Sequence, residues 1–442
     1  MKRVLSLTLV LFMVAVLLLA GCGGQQQAQQ QETQQSEQQE QAAGQEVETV
    51  KIGAILPLTG SAAATGVKLK YAVETAQEII NNAHPEIDME LAKSEGLTNL
   101  GGAKVEFIFA DHQANPEIAK SEAERLIQNE KVVGLIGAYH SSATKPASQV
   151  AERFQIPFVC GSSSSAALTE RGLKWFTRIA PHDGMETVLF FDYLKYLNEK
   201  YNAGIKKVAV VYIDNEYGVH AYEMVKKEIE NYKADGFEIV AEVKYPADAT
   251  NVDTEAQKVK AANPDAIFHA SYIGDKTLFV KKYKELNVVP KVVLAYCGGY
   301  QDPQFVVNLG KDADYFSGPN ATTSALFAKM PDLAKINEIY KAKSGVDIDG
   351  PTLEDFASAM VIAEAINKAG TTEPNKVREV LFSEEFAAPY FVSGKIKFGE
   401  DGQNVYSASV MTQIQNGIYE AVWPEDFQTK EPVPAFPEWS DR

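Results

Sequence analysis

The chain has 442 residues, of which 59 are acidic and 42 basic, so its formal net charge is −17 at pH 7. A chain this acidic is a poor partner for nucleic acid, and we expect none. The three cysteines, at positions 22, 160 and 297, exclude a disulfide framework and allow at most one bridge. We expect Cys160 and Cys297 to be buried thiols, because each follows an apolar strand in a different part of the chain.

The first residues are typical of a bacterial export signal of the lipoprotein kind. Lys2 and Arg3 precede an apolar run over residues 4–19, and small residues then lead to Cys22. We predict a signal peptide over residues 1–21 and lipid on Cys22, the mature N-terminus. The alternative is an uncleaved membrane anchor, although the apolar run is shorter than the ~20 residues of a spanning helix. Both interpretations place the rest of the chain outside the cytoplasm, held at the bacterial cell membrane.

Residues 22–48 consist mostly of Gln, Glu, Ser and Ala. Such a segment buries too little apolar surface to offset its ordering entropy, so we predict a disordered tether behind Cys22. Residues 49–442 remain, which is enough for two domains of ordinary size.

Short apolar strands alternate with helical periodicity in two successive runs of the chain, which predicts βαβ units and parallel sheets. After residue 315 the pattern changes to two helices and a terminal group of strands. We therefore predict an α/β fold of two Rossmann-like lobes, with the tail returning first to one lobe and then to the other. The predicted first lobe contains residues 49–182 and about 321–383, and the second contains residues 183–320 and about 384–442.

Two neighbouring strands of the first run each end in hydroxyl residues. The strand over 132–138 leads into Tyr139, His140, Ser141 and Ser142, and the strand over 156–160 leads into Gly161 and four serines. Ligands bind at the carboxyl ends of the strands in an open α/β sheet, and a helix N-terminus favours an anion there. The pattern predicts a pocket for a small carboxylate or another polar anion.

The enzyme motifs in the chain are incomplete. Ser142 and Lys145 match the S-x-x-K pattern of serine acyl-enzymes, but its companion S-D-N and K-T-G elements are missing. His112 beside Asp111 suggests a metal only faintly, and we interpret it as a solvated strand end. We therefore predict no catalysis, no cofactor and no metal.

Several segments resemble the type I periplasmic binding proteins of the Leu/Ile/Val-binding family, the solute receptors of branched-chain amino acid ABC importers. The resembling segments cover residues 52–66, 123–148, 156–172, 210–218 and 264–272. The resemblance implies a Venus-flytrap clamp, in which two lobes joined by a three-strand hinge close around one ligand.

The resemblance also implies roles for individual residues. The family's carboxylate-holding serine falls on Ser141 or Ser142, and its second hydroxyl contact falls on Ser163 or Ser164. Each of these side chains has a structural alternative, since serines after strands often cap helices and aromatic residues often pack in the core. The remaining implied contacts are Tyr217 and Tyr272 from the second lobe, with Thr65 at the side-chain end of the pocket.

One position departs from the family pattern. Amino-acid binders of the family place an acidic residue of the second lobe against the ligand's ammonium group, and here that place falls near Cys297. An unpaired buried ammonium costs several kcal/mol. Either the ligand lacks an amine, or another acid takes the role; the candidates are Asp214, Glu216, Asp275 and Asp302.

The sequence thus predicts a monomeric, lipid-anchored, extracytoplasmic receptor. It would deliver a small polar ligand, an amino acid or a related carboxylate or amide, to a membrane ABC permease. The alternative is a sensor, in which the same clamp reports its occupancy to a signalling protein without transport. Adjacent permease and ATPase genes would favour import, whereas an adjacent receptor kinase gene would favour sensing.

Overall fold

Buried apolar strands and amphipathic helices alternate from the start of the folded chain. The computed structural model describes residues 49–442, which form one compact unit; the predicted signal peptide, Cys22 and the tether lie outside the described residues. The first run consists of β1 (Val50–Leu56), α1 (Ala63–Asn81), β2 (Val105–Asp111), α2 (Pro116–Gln128), β3 (Leu135–Gly137), α3 (Ser141–Phe154), β4 (Phe158–Cys160) and β5 (Phe176–Arg178).

These strands form a five-stranded parallel sheet in the order β2-β1-β3-β4-β5. Helices cover both faces of the sheet, which explains why β3 and β4 are short, wholly apolar runs buried along their length. Helix α1 buries Leu69, Val73, Ala76 and Ile80, spaced three or four residues apart. We call this sheet and its helices the first lobe.

The second run repeats the alternation around another sheet. It consists of α4 (Asp183–Tyr201), β6 (Lys207–Ile213), α5 (Glu216–Glu228), β7 (Glu238–Tyr245), α6 (Asp253–Ala262), β8 (Ala266–Ala270), α7 (Ile273–Leu286), β9 (Val292–Ala295), the kinked turn α8 (Cys297–Tyr300), α9 (Gln304–Leu309) and β10 (Ser317–Asn320). The sheet has the order β14-β13-β10-β9-β8-β6-β7, parallel from β7 to β10 and antiparallel at its last two strands. We call it and its helices the second lobe.

The tail contributes to both lobes. It consists of α10 (Pro331–Ser344), α11 (Gly350–Ala369), α12 (Pro374–Ser383), β11 (Phe386–Ala387), β12 (Lys395–Ile396), β13 (Val410–Gln415) and β14 (Ile418–Trp423). Helix α11 packs against α1, β3 and β4, whereas β13 and β14 complete the second sheet. Phe386, Ile396 and Phe398 lie in the apolar core beside α11. The prediction of an α/β fold with parallel sheets is confirmed, and the division at residues 182, 320 and 383 stays a prediction.

The chain passes between the lobes after β5, after β10 and before β13. Arg178, at the end of β5, is fully buried and connects two of these passages. Its guanidinium donates to Gln403 Oε1 at 2.8 Å and to the carbonyl oxygen of Ser165 at 2.6 Å. These two acceptors connect the end of β5 with the serine segment that follows β4 and with the passage before β13.

Within residues 49–442 we find no helix that is both long and apolar enough to cross a membrane. Cys160 and Cys297 are both buried and unbridged, as predicted. The thiols are far from ionising, because burial raises the pKa of each above its ordinary value.

Candidate ligand-binding site

A cavity lies between the two lobes, at the carboxyl ends of β3 and β4. The first lobe contributes hydroxyl groups and a tyrosine, and the second lobe contributes two tyrosines and the start of α8. The lining residues are Tyr139, Ser141, Ser162, Ser164, Tyr217, Tyr272, Cys297, Gly298 and Pro351. Five of the eight predicted ligand residues, Ser141, Ser164, Tyr217, Tyr272 and Cys297, are therefore brought together here.

Helix α3 begins at this cavity. Its N-cap residue, His140, makes no side-chain hydrogen bond to the first backbone N–H groups of the helix. These groups form the positive end of the helix dipole, which lies at the cavity. Ser141 Oγ accepts a hydrogen bond from the Ser165 N–H at 3.2 Å. The hydroxyl proton of Ser141 therefore stays available for a ligand acceptor.

The serines after β4 have three different roles. Ser162 donates its hydroxyl proton to Asp355 Oδ2 at 2.6 Å; its oxygen can still accept a hydrogen bond but has no proton left to give. Ser163 shares a 2.6 Å hydrogen bond with Thr144 Oγ1 inside the first lobe. Ser164 is 3% exposed and lines the cavity, so it is the second serine placed to contact a ligand.

The second lobe covers the cavity with aromatic rings. The Tyr272 ring lies 5.4 Å from that of Tyr217 and 6.0 Å from that of Tyr139, measured between centroids. The Tyr217 hydroxyl is buried and has no hydrogen-bond partner among the described residues. At Gly298 a Cβ atom would lie 3.1 Å from that hydroxyl, so the missing side chain lets the α8 turn approach the tyrosine.

All four candidate acids from the sequence are occupied elsewhere. Asp214 pairs with Lys244, Glu216 pairs with Lys145, and Asp275 accepts a hydrogen bond from Tyr245. Asp302 accepts hydrogen bonds from Thr65, at 3.0 Å, and from Lys68. None of the four lines the cavity.

Asp183, at the start of α4, is the acid that the sequence reasoning missed. It is fully buried, neither carboxylate oxygen has a partner among the described residues, and its N–H donates to the Ser164 carbonyl oxygen at 2.8 Å. Burial raises its pKa to about 7, against the opposing effects of Ser164, Arg178 and His220. An acid before a helix is usually only a favourable first-turn residue, so the sequence contains no signal that singles out Asp183.

Two more buried carboxyl groups lie nearby. Glu186 accepts a 3.4 Å hydrogen bond from the Cys297 N–H, and burial together with Asp183 raises its pKa well above its ordinary value. The pKa of Glu354 is likewise raised well above its ordinary value by burial, Glu186 and Asp355. Asp183 is therefore the first of the three to ionise as the pH rises through neutrality.

Three predicted ligand residues lie elsewhere. Ser142 is half-buried on α3 and does not line the cavity, because successive residues of a helix point in different directions. Ser163 is turned into the first lobe towards Thr144. Thr65 lies on α1, and its hydroxyl binds Asp302 across the cleft instead of lining the pocket.

Two further sequence interpretations can be compared with the structure. His112 was interpreted as solvated, but it is completely buried, and its Nε2 donates to the Ala138 carbonyl oxygen at 2.9 Å. The interpretation was wrong because the loop after β3 covers the end of β2. No group of side chains among residues 49–442 has the arrangement of a metal site.

Polar contacts hold the lobes together around the cavity. Lys145 of α3 and Glu216 of α5 form a 2.8 Å ion pair. On the opposite side, Lys68 of α1 binds both Asp302 and Asp349. The Lys145–Glu216 and Lys68–Asp302 pairs join the first lobe to the second, whereas Asp349, at the start of α11, belongs to the first lobe like Lys68.

Two α/β lobes, three passages between them and a polar cavity in the cleft define a two-lobed solute-binding protein. A family model described as periplasmic binding protein matches residues 49–417. The chain therefore belongs to the periplasmic binding protein family, and the predicted relationship to the Leu/Ile/Val-binding group is confirmed.

The relatives support the same assignment. Leu/Ile/Val-binding protein homolog 7 of Brucella abortus is 27% identical over 383 residues, which cover 85% of this chain and 92% of the relative. The leucine binding protein LivK of Thermotoga maritima superposes with a TM-score of 0.72 at 23% identity, over 86% of this chain and 99% of that one. An ABC transporter solute binding protein of Rhodopseudomonas palustris, in complex with 3,4-dihydroxy benzoic acid, superposes with a TM-score of 0.71 at 22% identity. The match covers 89% of this chain and 99% of that one. Ligands thus differ among proteins that share this fold.

Proposed function

We propose that this protein is an extracytoplasmic solute receptor that binds a small amino acid between its lobes and delivers it to an ABC permease. One observation carries the choice of ligand. The buried Asp183 carboxyl group has no hydrogen-bond partner among the described residues, and its backbone N–H donates to the carbonyl oxygen of Ser164, which lines the cavity together with Ser141. A molecule with a carboxylate at one end and an ammonium group next to it matches both features.

The carboxylate of the ligand binds at α3. Its oxygens accept hydrogen bonds from the hydroxyl groups of Ser141 and Ser164 and from the unoccupied N–H groups of the first helical turn. Hydrogen bonds to a charged group contribute about 1.5–3 kcal/mol each. The helix dipole adds to this attraction because the anion lies at its positive end.

The ammonium group binds on the Asp183 side. The Asp183 carboxylate compensates its charge, and Ser162 Oγ accepts one of its protons, since the Ser162 proton is already given to Asp355. The apolar side chain of the ligand then meets Pro351 and the rings of Tyr139 and Tyr272.

The protein carries out no chemistry on this ligand. In the S-x-x-K match, Lys145 would have to accept a proton from Ser142, but its Nζ forms an ion pair with Glu216 at 2.8 Å. Ser142 does not line the cavity, so a bound ligand would not reach its hydroxyl.

Attachment to the membrane through lipid on Cys22, after removal of residues 1–21, completes the proposal. The residues concerned lie outside the described part of the chain, so the support comes from the export-signal pattern alone. Mass spectrometry of the protein purified from membranes tests it: a lipid-modified Cys22 at the N-terminus supports anchoring, and an unmodified peptide starting at Met1 contradicts it.

The ligand can be identified by a thermal-shift screen of the full-length protein against amino acids, amides, and aliphatic and aromatic acids. Binding at a hundred times Kd would stabilise the folded protein by about 2.7 kcal/mol, which is readily detected. For the best amino acid, calorimetry then compares the parent molecule with analogues that lack only the amine or only the carboxylate. We expect both analogues to bind at least tenfold more weakly. An amine-free analogue that binds as tightly as its parent would contradict the role of Asp183.

A further inference from the structure

A second cavity, open to solvent, lies beside the passage that follows β10. Its second-lobe side includes Val307 of α9 and Ile418 of β14. Its first-lobe side includes Val346, in the loop between α10 and α11, and its base includes Gln301 and Thr322. The cavity shares no lining residue with the serine-lined cavity. A molecule bound here would touch both lobes.

Apolar side chains gather at the edge of this cavity. Val307, Val346 and Ile418 are 73%, 39% and 49% exposed, and among the other large apolar side chains in the described part of the chain only Val67 and Val405 reach 39% exposure. Single exposed apolar residues are ordinary, whereas three that surround one opening form a patch of the kind that binds ligands. The patch can cover the hydrocarbon part of a small molecule.

Two residues that line the cavity also carry buried polar atoms without hydrogen-bond partners among the described residues. Gln301 is 2% exposed; its amide nitrogen donates to the Pro319 carbonyl oxygen at 2.7 Å, while its Oε1 has no partner among the described residues. Thr322 is fully buried, and its Oγ1 also has no hydrogen-bond partner among the described residues. The free acceptor on Gln301 requires an N–H or O–H donor, and the Thr322 hydroxyl can donate to a carbonyl oxygen.

The charges around the cavity disfavour an anion. Asp347 and Asp349 both line it, whereas the only lysine among the lining residues, Lys341, is paired with Asp347 at 2.9 Å. A neutral head group avoids repulsion from these carboxylates. A primary amide offers both an N–H donor and a carbonyl acceptor, which is the complement of Gln301 Oε1 and the Thr322 hydroxyl.

We propose that this cavity is a second ligand site, which takes a neutral amphipathic molecule with a short hydrocarbon chain and an amide head group. Because its sides belong to different lobes, the bound molecule stabilises the arrangement in which they face each other. The site therefore acts beside the amino-acid cavity and does not form part of it.

The probe for this site is hexanamide, measured on the full-length protein by saturation-transfer NMR and by shifts of the valine and isoleucine methyl signals. We expect binding that Val307→Glu weakens at least tenfold, since a charge then enters the apolar edge at an exposed position where folding is not at risk. The matched control, Val405→Glu, changes another exposed valine and leaves the affinity unchanged.

Two further variants and a charged analogue test which atoms bind hexanamide. Thr322→Val weakens hexanamide several-fold without changing side-chain size, and hexanoate binds at least tenfold more weakly than the amide. The double variant Ser141→Ala and Ser164→Ala retains hexanamide binding. Failure of hexanamide to bind, equal binding by Val307→Glu, equal affinity for hexanoate, or loss of binding in the double serine variant would overturn the proposal.

Discussion

The affinity for an amino-acid ligand should rise steeply with pH through neutrality, because the ammonium group pairs with the ionised form of Asp183. Burial raises the pKa of Asp183 to about 7, so the carboxylate form is about 3% populated at pH 5.5 and about 90% populated at pH 8. The apparent Kd equals the intrinsic value divided by the competent fraction, which gives an affinity about 30-fold higher at pH 8. The zwitterionic ligand itself does not titrate in this interval.

The assay is calorimetric titration of the full-length protein at half-unit steps between these two pH values. In Asp183→Asn the ligand should bind at least tenfold more weakly at pH 8, and the pH dependence should disappear. Glu186→Gln is the matched control: it removes a neighbouring buried carboxyl whose pKa is also raised by burial but leaves Asp183 in place, so the wild-type dependence should persist. A flat profile in the wild type, or a dependence that survives Asp183→Asn, would refute the reasoning.

Three other outcomes are expected. Ser141→Ala combined with Ser164→Ala should weaken ligand binding more than 100-fold, since two hydrogen bonds to a carboxylate together contribute at least about 3 kcal/mol, and calorimetry with an unchanged circular-dichroism spectrum checks it. Without ligand, Asp183→Asn should raise the free energy of unfolding at pH 8 by about 1–3 kcal/mol and have no effect at pH 3.5, measured by urea denaturation. The sign follows because the folded-state pKa lies above the unfolded value, so the wild type loses stability as the pH rises from about 4 to 7. An acylating serine probe should leave Ser142 unmodified, since Lys145 is paired with Glu216, and mass spectrometry detecting an adduct would contradict the binding role.

The sequence predicts the fold well where local signals are strong. The strand Lys207–Ile213 and the helix Asp253–Ala262 lie in the second of the two runs for which alternating strands and helices are predicted. Such elements are recognisable because a buried parallel strand is a continuous apolar run and a helix has regular spacing. Helix α12 (Pro374–Ser383) and strand β11 (Phe386–Ala387) are missing from the sequence prediction. Both are short and depend on packing against the first lobe, which leaves no periodic pattern to detect.

The site was predictable only in part, for a geometric reason. Two serine-rich strand ends identify the edge of the sheet where a ligand binds, but the residue that faces the cavity depends on a rotation of the chain that the sequence does not specify. Ser141 therefore lines the cavity and Ser142 does not, and Ser164 lines it while Ser163 binds Thr144. Thr65 was misplaced because its partner, Asp302, lies 237 residues away on the other lobe.

The position of the acid also changes how the ligand would draw the lobes together. Near Cys297, where amino-acid binders of the family place a carboxylate of the second lobe, the buried cation Lys276 directs its Nζ towards the Gly298 carbonyl oxygen at 3.4 Å. A lysine there disfavours an ammonium group, even though burial lowers its pKa to about 7. Asp183 instead begins the second-lobe helix α4, and its N–H donates to the carbonyl oxygen of the first-lobe residue Ser164. An ammonium group paired with Asp183 would therefore lie where the two lobes meet, so closure would depend on the charge of the ligand as well as on its apolar contacts with Tyr217 and Tyr272.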